Sequence, residues 1–372
     1  MRIAIIGAGV IGLSTATVLQ SHFKDADITI IADKLNKNTL SDGSAGLFRP
    51  SHNVKEEYEK EIYRNSFAHF LRIFQSEEAG EYGVQMVSGY IIAEKLEFVA
   101  DLWYKDLVLD FHFLDSEELK KLNLNKKYCA YGCFFTSTVT ECRKYLPKLL
   151  KKFLNNNGHV ILAKINGLHE INKLPYNTEK SEYNFVINCA GLNAGQIIND
   201  KSSMIPIKGQ VIRINAPWIK NFWFLSESLE NDFKTYIIPT TQTVVLGATR
   251  DEGVSDDTVC PEDSEAIMQR CAGLVPSVKL APILTEWAGL RPYRKETLHT
   301  SSPRIELEPL KCLAGNFDFP QYLAESRTIV IHNYGHGGNG VSMSYGSGLR
   351  VLELMENYLV DNKDYDDDDG HF

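Results

Sequence analysis

The chain has 372 residues, 44% hydrophobic and 23% charged, which is material for two domains of ordinary globular composition and excludes a disordered, collagenous or disulfide-scaffold protein. The formal charge is −9, of which the last twelve residues, with six aspartates and one lysine, supply −5. The mildly acidic body lacks the basic footprint that a nucleic-acid partner requires, and no apolar run reaches the ~18 residues of a membrane span.

Ile3-Ala4-Ile5-Ile6 is an unbroken apolar run of the kind that forms a strand buried on both faces. It meets Gly7-Ala8-Gly9-Val10-Ile11-Gly12, and Leu13, Ala16 and Leu19 continue at roughly helical spacing. This uncharged stretch behind Arg2 could be read as a secretory signal. Its regular glycines and the lack of a small-residue cleavage site favour a folded strand–turn–helix. A second strand, Ile28–Ile31, ends at Asp33, and residues 36–50 read as a polar loop. Helical periodicity returns over Glu56–Phe74 and Tyr145–Leu154, and Phe185–Asn188 is a second buried strand type, followed by Cys189-Ala190-Gly191. Short strands Val211–Ile214, Thr235–Ile238 and Val244–Gly247 make the middle of the chain β-rich. Late in the chain, strand Thr328–Ile331 leads into Gly335-His336-Gly337-Gly338-Asn339-Gly340 and a helix over about 345–359. The seven cysteines are scattered without a CxxC pair, which predicts reduced, mostly buried thiols in a reducing compartment and no metal centre.

GxGxxG after a strand, opening a helix, with an acid at the end of the next strand, is the dinucleotide fingerprint. The first glycine allows the tight turn, the second admits a pyrophosphate, and the third permits helix–strand contact. The helix N-terminus then offers unpaired N–H groups to phosphate. A carboxylate at Asp33 favours NAD or FAD over NADP. A second glycine cluster at residues 335–340 suits a large two-part cofactor better than NAD. His336 within it is read as structural rather than catalytic, because the glycines already explain the stretch.

The chain resembles the D-amino-acid oxidase and D-aspartate oxidase family of FAD enzymes. The matching stretches are Ile5–Ser14, Ser44–Leu47, Val87–Gly89, Val186–Gly191, Lys208–Val211, Ala216–Trp218, Tyr236–Pro239, Gly289–Arg294 and Ile331–Gly340, in the family's order over nearly the whole length. The resemblance implies an α/β fold with a discontinuous Rossmann-like FAD-binding domain (1–50, 136–200 and 315–360) and a β-rich α+β substrate domain (51–135 and 201–314). Residues 361–372 would be an acidic, disordered tail. Gly7, Gly9, Ile11 and Gly12 would hold the adenine half of FAD, with Asp33 and Lys34 at the ribose. Thr39, Ser41, Ala45, Gly46 and Leu47 would run along pyrophosphate and flavin, and Ile165 would touch the cofactor through its backbone. Gly337, Gly338, Asn339, Gly340, Val341 and Ser342 would surround the flavin's pyrimidine end.

For the substrate, Arg291 resembles the arginine that clamps an α-carboxylate, with Tyr236 donating to the same group and the Gly338 carbonyl accepting from the amine. On the residues alone, Arg291 is equally an exposed or ion-paired arginine. Arg250, in Gly247-Ala248-Thr249-Arg250, resembles the arginine of D-aspartate oxidases, and Arg49 adds a second cation, so acidic D-amino acids are the expected substrates. Dioxygen would be the electron acceptor and hydrogen peroxide a product. A neutral D-amino-acid oxidase, a NAD-dependent dehydrogenase and a non-catalytic FAD-binding protein are the alternatives. The lid segment Ser226–Lys234 departs from the family by carrying neither its second tyrosine nor its arginine, and brings Glu227, Glu230 and Asp232 instead. The terminal Gly370-His371-Phe372 is not a Ser-Lys-Leu-type signal, so a cytoplasmic location is expected. Homodimers are common in the family.

Overall fold

The computed structural model describes residues 1–122, 124, 130–174, 182–200, 203–226, 235–297, 302–314 and 326–362. The strands in chain order are β1 (Arg2–Ile6), β2 (Asp27–Ala32), β3 (Val84–Ala93), β4 (Leu109–Phe113), β5 (Tyr131–Thr140), β6 (His159–Leu162), β7 (Phe185–Asn188) and β8 (Met204–Ile214). They continue as β9 (Phe222–Ser226), β10 (Thr235–Pro239), β11 (Val244–Gly247), β12 (Asp251–Glu252), β13 (Ile283–Arg294), β14 (Arg304–Pro309) and β15 (Ile329–Tyr334). They form two sheets, β14-β15-β7-β1-β2-β6 and β12-β8-β11-β10-β9-β3-β5-β4, with β13 pairing on β8. The first sheet is parallel except for β14, and the second is antiparallel except where β3 meets β9. The fold is α/β, with a Rossmann-like sheet and a β-rich second layer.

β1 shows why the first sheet needs an unbroken apolar run. Alternate residues point to opposite faces, and both faces are covered. Ile3 and Ile5 join a core with Leu13, Phe67 and Val351, while Ala4 and Ile6 join another with Ile161, Val186 and Leu310. The first of these cores includes Ile62, Phe67 and Phe70 of the helix Glu57–Phe74. That helix, within the range 51–135 expected of the substrate domain, packs on the Rossmann-like side. β14, within the range 201–314 expected of the substrate domain, pairs with β15 in the first sheet, while residues 136–140, expected in the FAD-binding domain, belong to β5 of the second. Asp361 ends the helix Gly340–Asp361, and residues 363–372 of the expected tail lie outside the described residues. Among the described residues, no helix is long and apolar enough to cross a membrane.

Three histidines, His336 buried and His52 and His69 partly so, carry a pH signature. His52, His69 and His336 are each pushed down to about 3, mainly by burial, with Arg49 adding to the effect at His52 and Arg72 at His69. An unfolded histidine titrates near pH 6.5. Below that pH the unfolded chain takes up protons that these sites refuse, so stability is complete above about pH 6.5 and lost as pH falls. Three such groups give a slope of up to about 4 kcal/mol per pH unit. The urea midpoint of the folded protein is expected to fall steeply between pH 7 and 5.5, and a flat profile there contradicts the burial of neutral imidazoles.

Candidate functional site

One cavity of about 590 Å³ is lined by residues of both sheets and their loops, among them Asp33 and Lys34 after β2 and Arg250, Arg291 and Tyr293. Its phosphate-type end is built from backbone. Gly7 is left-handed (φ +103°), and a Cβ there would meet the Cys189 carbonyl oxygen at 2.6 Å. At Gly9 an added Cβ would meet only the Ser41 hydroxyl within 4 Å, at 3.2 Å. The helix Val10–His22 starts without a side-chain cap at Gly9, and the Val10 N–H donates to Ser41 Oγ at 3.0 Å. The helix Gly340–Asp361 also starts without a side-chain cap, at Asn339. The two starts meet: a Cβ on Gly340 would lie 3.9 Å from Val10 Cγ1. Two helix N-termini thus present positive partial charge to one cavity. With the exposed Asp33 carboxylate just past β2, this suits an anionic dinucleotide such as FAD, whose ribose needs an acceptor and whose phosphates need donors.

Ile11, Thr39, Ser41, Ala45, Gly46, Leu47 and Ile165 line the cavity, as do Gly337, Gly338, Asn339, Gly340, Val341 and Ser342. Gly12 does not line it: a Cβ there would sit 2.0 Å from the Gly7 carbonyl oxygen. Its place is in the close helix–strand contact, the role that the fingerprint gives its third glycine. Gly46 is left-handed (φ +74°) and presses on Thr140. Leu47 bridges to Val139, and the Phe48 N–H donates to Thr138 O at 2.8 Å, so the loop carrying Arg49 is zipped onto β5. His336 is buried and hydrogen-bonded to Ser347 Oγ at 2.9 Å through Nε2. Burial holds it well below the usual imidazole range, as suits a structural neutral side chain.

At the other end the second sheet supplies the cations. Arg291 and Tyr236 lie on β13 and β10 and both face the cavity. The guanidinium of Arg291 donates through Nη1 to the Thr249 carbonyl at 3.0 Å. It lies flat on Gly209, where a Cβ would come within 2.2 Å of Cζ, and the Tyr236 ring lies on Gly247, where a Cβ would come within 2.0 Å. Burial raises the Tyr236 phenol, opposed by the charge of Arg291, so its hydroxyl keeps a proton to donate. Arg49 and Arg250 complete the wall. The Arg49 Cζ stands 5.1 Å from the Phe224 ring centroid, and Arg250 Nη1 donates to Tyr293 Oη at 3.0 Å. Three arginines on one cavity can bind a molecule bearing more than one carboxylate. Residues 227–234, which include most of the expected lid, lie outside the described residues. Among the described residues, no group of three His, Cys, Asp or Glu could hold a metal.

Sequence reasoning gave no role to Tyr293, Trp287, Gly209 or Gly247. Trp287 fills the space over Gly43 and Gly289, with ring atoms 2.3 and 2.2 Å from where each Cβ would stand, and so locks the 40–45 loop to β13. The available signal was Gly-x-Arg spacing within Gly289-Leu290-Arg291 and the glycine of Lys208-Gly209-Gln210. Neither reveals a platform until the strands are paired.

Residues 2–354 match the DAO family, described as FAD dependent oxidoreductase. D-aspartate oxidase of Homo sapiens is 34% identical over 359 residues, covering 95% of this chain and 94% of that one. D-amino acid oxidase of Dugesia ryukyuensis is 30% identical over 367 residues, covering 98% and 100%. The crystal structure of glycine oxidase from Bacillus cereus ATCC 14579 superposes with a TM-score of 0.73 at 20% identity over 95% of this chain and 97% of that one, which speaks to the fold. The uncapped helix pair, the acid at the end of β2 and the match over nearly the full length agree, and the chain belongs to the DAO family of FAD-dependent oxidoreductases.

Proposed function

We propose that the protein oxidatively deaminates D-amino acids, acidic ones first, consuming dioxygen and releasing a 2-oxo acid, ammonia and hydrogen peroxide. The observation that carries this reading is the placement of Arg291, Tyr236 and Gly338 on the same cavity as the two helix starts. Bound FAD supplies the two-electron acceptor. The chain's own residues bind and orient. Arg291 and the Tyr236 hydroxyl take the α-carboxylate, and the Gly338 carbonyl accepts from the amine. The Cα–H is thereby fixed in one direction, and only one enantiomer can present it toward the cofactor end. No side-chain base is invoked, since positioning and electrostatics are what the residues can provide. Arg250 and Arg49 would receive a second, side-chain carboxylate, in line with the name of the human relative.

The test is peroxide production by the purified protein with D-aspartate, D-glutamate, D-alanine and their L-forms. Preference for D-aspartate is expected. Preference for D-alanine replaces the acidic reading with a neutral oxidase.

The glycine platforms give a further expectation. A methyl group at Gly209 must push the Arg291 guanidinium aside, and one at Gly247 must push the Tyr236 ring. The Arg291 tip is the far end of a flexible side chain, so it can swing away with little cost to the fold, but the clamp is then misplaced. Gly209→Ala is expected to lower kcat/KM for D-aspartate by roughly tenfold or more, about 1.4 kcal/mol, with a small change in melting temperature. Steady-state kinetics beside a thermal melt check this, and a large melting shift with unchanged kcat/KM contradicts it.

A further inference from the structure

We propose that Tyr293 is the positioning residue for the second carboxylate: it holds the Arg250 guanidinium at the cavity wall and thereby sets the preference for acidic over neutral substrates. This rests on the dicarboxylate reading above.

Tyr293 is buried, and it follows Arg291 by two residues on β13, so the two share a face of the strand. Its ring is held by backbone. Tyr293 bridges to His336, and the left-handed Gly337 (φ +54°) leaves the ring so close that a Cβ would stand 2.7 Å from its Cε1 and Cζ atoms. The hydroxyl is therefore a fixed point in the wall, 3.4 Å from where a Cβ of Gly338 would be. It accepts from Arg250 Nη1 at 3.0 Å, and the Arg250 Cζ stands 4.9 Å from the Tyr293 ring centroid. The other terminal nitrogen, Nη2, pairs at 3.4 Å with Glu252, whose side chain is 51% exposed. Arg250 is thus drawn inward by a fixed phenol and outward by a solvated carboxylate. Arg49 also lies within electrostatic range of Tyr293, so the hydroxyl stands among the cations that would share a distal carboxylate.

Removing the hydroxyl favours the Glu252 contact. The guanidinium then spends less time at the wall, and its rotamer freedom must be given up when substrate binds. A phenylalanine keeps the ring packing on Gly337, so the change is confined to one oxygen atom.

The experiment uses the FAD-loaded enzyme and Tyr293→Phe. It measures kcat/KM for D-aspartate and D-alanine, and calorimetric Kd values for succinate, which is D-aspartate without its amine, and for propionate, its one-carboxylate counterpart. The ratio of kcat/KM for D-aspartate to that for D-alanine is expected to fall roughly 10- to 100-fold, as for a lost hydrogen bond to a charged group. Succinate binding should weaken by a similar factor and propionate binding by far less. In an Arg250→Ala background the same substitution should change the ratio less than about threefold, because its target is gone. Equal losses for both amino acids, an unchanged ratio, or the full loss in the Arg250→Ala background each overturns the proposal. A wild-type enzyme that prefers D-alanine overturns the dicarboxylate reading itself, and this shows before any variant is made.

Discussion

Arg291→Ala is expected to lower kcat/KM for D-aspartate and for D-alanine alike by roughly 30-fold to several thousand-fold, corresponding to ~2–5 kcal/mol. Both substrates carry the α-carboxylate that Arg291 meets, and truncation leaves that carboxylate desolvated with the Tyr236 hydroxyl but no cation opposite it. The half-buried guanidinium rests on Gly209 and is oriented by the Thr249 carbonyl at 3.0 Å. Lysine at this position keeps the charge but cannot offer two parallel N–H groups, so Arg291→Lys should recover only part of the loss. Near-normal kcat/KM in Arg291→Ala would remove the clamp from the account.

Arg250→Ala separates substrate classes. For D-aspartate the expected loss in kcat/KM is again roughly 30-fold to several thousand-fold, because a desolvated charge pair truncated on one side loses ~2–5 kcal/mol. D-alanine has no distal charge, and its kcat/KM should fall far less, so the D-aspartate to D-alanine ratio collapses. Arg250 is well placed for this: it lines the cavity, and its guanidinium donates to the buried Tyr293. Equal losses for the two substrates would assign Arg250 to the general architecture of the wall.

Much of the Rossmann-like sheet was legible in the sequence because a strand covered on both faces must be apolar throughout. β1, β2, β7 and β15 each hold a mainly apolar run, although β15 also holds the buried His332 and Asn333 near its end. β13 was not legible. Gly289 and Pro292 punctuate it, and glycine and proline ordinarily argue against a strand interior. Here Pro292 pairs opposite Pro206 of β8, and Gly289 leaves room for Trp287. The helix Gly340–Asp361 begins five residues before the periodic signal. Its first turns are glycine- and serine-rich, with weak helix propensity, and tertiary packing overrides that. Gly346 sits against the Ile62 carbonyl, where a Cβ would stand 2.0 Å away, and Gly348 against Thr15. Arg213 defeated pattern reading altogether. It sits in an apolar strand where a charged residue reads as solvent-facing, yet it is 1% exposed and donates to the Ser44 carbonyl at 3.1 Å, tying β8 to the cofactor loop.

In the site, the glycine clusters and Asp33 were readable from spacing alone. Arg291, Tyr236 and Arg250 drew their roles from family resemblance, because nothing in a single strand shows which face will meet a cavity. Tyr293 remained silent for the same reason: its partners come from β15's glycine turn and from the loop after β11.

The central claim is that one cavity holds FAD at one end and a D-amino acid at the other. Its most direct measurement is the visible spectrum of the purified protein before and after anaerobic addition of D-aspartate or L-aspartate. The account predicts flavin absorbance that D-aspartate bleaches and L-aspartate leaves intact. A flavin-bearing protein whose spectrum neither D-aspartate nor any other D-amino acid bleaches contradicts it.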